Sequence, residues 1–91
     1  AMLTQTPPVI VAIGADGKLT AQTKDGRISR EQRVDVGTLI EVLRDRQREH
    51  ADEPVVIAAD KTVRYEVVMD VMAELKKNGI RRVGLMVKSS G

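Results

Sequence analysis

The sequence predicts an α+β domain in which two helices pack on one face of a four- to five-stranded mixed β-sheet, in the order β-β-α-β-α-β. Three observations carry this expectation. Two stretches repeat apolar residues at helical spacing, runs rich in β-branched residues flank them, and residues 55–87 read as one strand-helix-strand unit. Such a unit crosses over right-handed, with its two strands parallel.

Pro7 and Pro8 precede VIVAI at residues 9–13, a β-branched run suited to a buried strand. GADGK at 14–18 holds an Asp-Gly pair, a strong hairpin signal, and LTAQT at 19–23 alternates apolar and polar like a half-exposed return strand. A second Asp-Gly at 25–26 turns the chain again. ISREQRV is too charged to read as a full strand, so a short extended piece leading into the first helix is expected there. From about Asp35 to His50, Val36, Leu39, Ile40 and Leu43 fall at i, i+3, i+4 and i+7, with Asp35 placed to cap the helix. Its outer face carries Glu41, Arg44, Asp45, Arg48 and Glu49, a mixed-sign solvated surface.

Pro54 steers the chain out of helix, and VVIAA at 55–59 is the central-strand candidate. A second helix is expected from about Arg64 to Asn78, with Val68, Val71, Met72 and Leu75 as its buried stripe. Gly79 stops it, and Lys76 and Lys77 complement the negative end of its dipole. RRVGLMV at 81–87 is the last strand. With both helices on one face, the other must be polar or covered by another molecule.

Composition narrows the function. The 91 residues make one domain, with residues 1–8 reading as a cloning remnant and linker, 9–88 as the domain and 89–91 as a tail. A chain this short buries roughly 60–65% of its unfolded surface, and without Phe, Trp or Cys its core must be aliphatic. Fifteen basic against thirteen acidic side chains leave +2, and the single tyrosine offers no stacking platform, so nucleic acid is not an expected partner. The lack of cysteine gives no redox address. No run approaches the length of a membrane span, and no signal peptide opens the chain.

The segment AADKTVRYE concentrates Asp60, Lys61, Tyr65 and Glu66 where a strand hands over to a helix, a place where α/β folds often hold ligands. A structural reading accounts for them more simply. Asp60 or Thr62 satisfies the first free N–H groups of the helix, Glu66 complements its dipole, and Tyr65 lies against the sheet edge. His50 is the single histidine and has no ligand set around it, so no metal is expected, and nothing implies a cofactor. Ser29, Ser89 and Ser90 lack a nucleophile elbow, and GADGK lacks phosphate-loop spacing. Two basic groups, Lys76, Lys77, Arg81 and Arg82 at the end of the second helix and Arg27, Arg30 and Arg33 in the middle segment, could meet an anionic polymer or a lipid surface. Ordinary solvated charge explains them more economically. No catalytic residue is assigned.

The stretch VVIAADKTVRYEVVMDVMAELKKNGIRRVGLMV resembles the periplasmic domain of the ExbD/TolR family of biopolymer-transport proteins. The resemblance rests on an apolar strand ending in Ala59, Asp60 and Lys61, then Tyr65, then Val68, Met69, Asp70 and Met72. Gly79, Ile80, Val83, Gly84, Leu85 and Met86 complete it. It covers about a third of the chain, and DKTVRYE is more similar to the ExbD branch than to the TolR branch. It implies a subunit anchored in the inner membrane by an N-terminal transmembrane helix that this sequence does not contain, with this domain in the periplasm. It also implies a homodimer working inside an ExbB/TolQ-type channel, which uses the proton gradient to energise TonB- or TolA-type partners. The proton-carrying aspartate of that family lies in the membrane helix, so neither Asp60 nor Asp70 takes its role.

A non-enzymatic recognition module is therefore expected. An edge strand, Val83, Gly84, Leu85, Met86 and Val87, is the expected seam with a partner subunit or an extended segment of a TonB-like protein, and Gly84 permits close backbone approach. The alternative is a peptidoglycan-binding anchor of the TolR type.

Overall fold

A computed structural model describes residues 7–88. The proposed tail and the first six residues of the proposed linker lie outside them. The elements in chain order are β1 (Val9–Ile13), β2 (Leu19–Asp25), β3 (Ile28–Val34), α1 (Val36–Glu49), β4 (Val55–Asp60), α2 (Tyr65–Lys77) and β5 (Val83–Lys88). The sheet order is β3-β2-β1-β4-β5. β1, β4 and β5 run parallel, while β2 and β3 return antiparallel through the two Asp-Gly turns.

This is the expected α+β architecture, with one strand more than the order β-β-α-β-α-β. ISREQRV forms all of β3 and pairs with β2 from Leu19↔Val34 to Asp25↔Ile28. Its charge obscured it because β3 is an outer strand in which only Val34 is buried, so solvent accepts the other side chains on both faces.

Strand alternation builds the core. Val9, Val11 and Ile13 of β1 face the helices and are at most 1% exposed, while Ile10 and Ala12 point to the other face and are half-buried. Val55, Ile57 and Ala59 continue that buried face on β4, and Leu19 and Ala21 on β2. Leu39 and Leu43 of α1, and Val68, Val71 and Leu75 of α2, close over them in a single cluster. Burying each of the fully enclosed side chains Leu39, Ile57 and Leu75 stabilises the fold by about 1.5–3 kcal/mol.

The helix ends are set locally. Asp35 caps α1 by accepting the Thr38 N–H at 2.7 Å. α2 ends in a Schellman turn, in which Gly79 N–H donates to the Lys76 carbonyl at 3.1 Å and Ile80 N–H to the Leu75 carbonyl at 3.0 Å. Gly79 takes φ +83°, a left-handed conformation in which a side chain is strained. Buried Ile80 then folds back on the core.

One ion cluster locks the end of the fold where β1, β4 and β5 begin. Arg46 grips Glu53 through two bonds of 2.8 Å, from Nε to Oε1 and from Nη2 to Oε2. It also reaches Asp25 at the end of β2, 3.1 Å from Nη2 to Oδ1. Glu53 is the only charged residue among the described ones that is buried, and the bidentate guanidinium compensates it. Nearby, the Gln47 amide donates to the Gly79 carbonyl and accepts the Arg81 N–H, both at 3.0 Å. That side chain ties α1 to the connection between α2 and β5.

Candidate functional site

The strand-helix junction is organised around a tight turn. Asp60, the last residue of β4, accepts the Thr62 N–H at 2.9 Å and the Thr62 hydroxyl at 2.7 Å. Asp60 thus shapes the turn into α2, and the expected role of Asp60 or Thr62 as a helix cap is corrected. The N-cap is Arg64, whose side chain makes no capping bond. Glu66 does sit in the first turn of α2, suited to its dipole. Tyr65 is 73% exposed, so the expected packing against the sheet edge is also corrected. It opens α2 with its side chain largely in solvent. Asp60 instead lines a shallow hollow of about 180 Å³ on the uncovered sheet face with Asp16, Lys18, Thr20 and Arg33, a set that contains neither Lys61 nor Tyr65.

The remaining charged candidates are dispersed. His50 is the exposed C-cap of α1. Arg27 sits in the β2–β3 turn, whereas Arg30 and Arg33 point to opposite sides of β3. Among the described residues no cluster of His, Cys, Asp or Glu is arranged to hold a metal ion. The perturbed carboxylates have structural partners. The hydrogen bond and charge of Arg46 hold Asp25 below the usual carboxylate range. Asp35 is lowered mainly by the Thr38 N–H it accepts.

The uncovered sheet face is graded from polar to apolar. One row across it reads Glu31, Gln22, Ile10, Val56, Gly84, and the next Arg33, Thr20, Ala12, Ala58, Met86. Charge lies towards β3, and small or aliphatic groups lie towards β5. The polar half of the face is suited to solvent, as one of the two expected alternatives required, while on the apolar half Ile10, Ala12 and Val56 are half-buried, Ala58 is buried and Met86 is exposed.

β5 is the outer strand on that apolar side. Only Val83 packs against the core, and Leu85, Met86 and Val87 are 41%, 47% and 59% exposed. The direction of its backbone groups follows from the register. The Val55 N–H donates to the Arg82 carbonyl at 3.0 Å, so Arg82 faces β4. Alternation then turns Gly84 and Met86 to β4 and leaves the N–H and C=O of Val83, Leu85 and Val87 directed away from the sheet. A Cβ built on Gly84 would meet nothing within 4 Å, so the uncovered face is open beside that edge. The sequence marked these five residues as a strand, but the outward trio emerges only from the register.

The family model for the biopolymer transport protein ExbD/TolR matches residues 1–90. The chain belongs to the ExbD/TolR family. No curated protein matches it. The ExbD/TolR family is transport-associated rather than enzymatic, and its members are subunits of a biopolymer-transport motor. They are anchored in the inner membrane with a domain in the periplasm, and generally work with ExbB/TolQ and TonB/TolA proteins. No helix among the described residues of this ExbD/TolR chain is long and apolar enough to cross a membrane.

Proposed function

We propose that this domain is the periplasmic partner-binding part of an ExbD/TolR motor subunit, coupling the proton gradient to TonB- or TolA-dependent transport. Its membrane helix engages an ExbB/TolQ-like channel, and the full-length subunit is a homodimer. The observation that carries the binding role is the β5 edge, where three residues direct backbone groups away from the sheet that no described strand pairs, and three neighbouring apolar side chains are exposed. An added strand gains main-chain hydrogen bonds there, while Leu85 and Val87 on one face and Met86 on the other select its side chains. The strand comes from a TonB- or TolA-like protein or from the second subunit.

The test is a titration of isotopically labelled domain with an extended peptide from a TonB-like protein. Amide shifts should centre on Val83, Leu85 and Val87. Shifts confined to regions away from both sheet edges would reject the proposal, and retention on purified cell-wall sacculi with no response to the peptide would favour the peptidoglycan-anchor alternative.

A further inference from the structure

We infer that the end of the domain where β1, β4 and β5 begin is a docking face for an anionic phospholipid bilayer. Topology gathers three separated segments there. Val9, Val55 and Val83 pair in one row, which places Pro8, Pro54 and Arg82 side by side just before the three strands. The β2–β3 turn joins them, because Asp25 reaches Arg46 near the end of α1. The end of α2 joins through the Gln47 bridge to Gly79 and Arg81.

The charge on this face has a basic excess. Segments 24–27, 45–53 and 76–82 hold eight Lys and Arg against five Asp and Glu, a net +3, while the whole chain carries +2. Four of the five acids are engaged within the face: Asp25 and Glu53 with Arg46, Asp45 with Arg48, and Asp52 with Arg82. Lys24, Arg27, Lys76, Lys77 and Arg81 are exposed and form no salt bridge with a described residue. They come from both sides of the fold, so they spread over an end surface instead of lining a cleft. A broad set of unpaired cations suits a plane of phosphate groups more than a single small anion. The family's anchorage in the inner membrane places such a plane within reach of the domain. The opposite end has no comparable excess, since Asp16 and Asp60 accompany Lys18 and Arg33 there.

Contact through this face would hold the strands upright on the bilayer, with the free edge of β5 accessible from the side. The test is flotation of the 91-residue chain with vesicles of phosphatidylglycerol and phosphatidylcholine, against phosphatidylcholine alone. Binding is expected only to the anionic vesicles and should be lost at high salt. Each cation removed should weaken partitioning roughly five-fold, so K76E/K77E/R81E should abolish flotation while K18E/K61E at the opposite end retains it. Circular dichroism checks that both variants fold, which is expected because all five positions are exposed. Equal flotation of the two variants, no flotation of the parent chain, or capture by sacculi but not by vesicles each overturns the inference.

Discussion

Replacing Arg46 by methionine keeps an unbranched side chain over the core but strips Glu53 of both its 2.8 Å bonds. The Glu53 side chain is only 5% exposed, so its carboxylate would be left in the interior without a counter-charge. Breaking a buried pair from one side costs about 3–5 kcal/mol. The low end applies here, because the Arg46 side chain keeps 16% exposure and water screens part of the interaction. A domain of this size has about 5–14 kcal/mol in total. A loss of about 3 kcal/mol, with a urea dependence of about 1.5 kcal/mol per M, lowers the unfolding midpoint by about 2 M. The companion variant R46M/E53L removes both charges and should unfold within about 1 kcal/mol of the parent. Urea titration followed by circular dichroism measures both. If R46M alone matches the parent, or if the double variant is weaker than R46M, the cluster is not a compensated buried charge and the reasoning fails.

Leu85→Pro and Met86→Pro separate the two sides of β5. The first removes an outward N–H and should leave the fold within about 1 kcal/mol while abolishing partner pairing, whereas the second removes a ladder bond to β4 and should cost about 1–3 kcal/mol more by urea titration. Gly79→Ala forces a side chain into the left-handed region and should cost about 1–2 kcal/mol in the same assay. Leu39→Ala opens a cavity under α1 and should cost about 2–5 kcal/mol. Asp25 and Asp35 are both held below the ordinary value of 3.8, so their contribution is full above that pH and is lost as pH falls through the folded values. Melting temperature should therefore drop below about pH 4, and Asp35→Ala should be less stable than the parent at neutral pH but converge on it in acid.

Both helices, four strands and the aliphatic core were legible because helical spacing and β-branched runs report burial directly. Leu39, Ile40 and Leu43, and Val68 to Leu75, marked their faces, although Val36 at the start of the first stripe is 38% exposed because it opens α1 at the edge of the core, and Asp35 announced its own capping role. β3 was hidden because outer strands are not bound by the rule that inward residues be apolar, and hydrogen bonding to β2 suffices to hold Ser29 to Arg33 extended. Arg46 and Glu53 gave no signal either. In sequence they are two more charges in a charged stretch, and only the chain reversal after His50 brings them together. At the other end of β4, chemistry on paper exceeded chemistry in space. Asp60 turns into its own loop and Tyr65 points outward, because successive residues of a tight turn diverge instead of converging. The edge itself was visible as GLMV, but which amides it offers depends on register, which no local pattern encodes.

The shared direction of β1, β4 and β5 has a mechanical meaning for a motor component. A pull applied through a segment clasped to β5 and resisted at the start of β1 would run along the strands, across the evenly spaced, slanted rungs of the parallel pairs. All the rungs between β1 and β4, and between β4 and β5, then bear the load at once instead of peeling one after another. A small sheet loaded in this shear geometry transmits tension without coming apart.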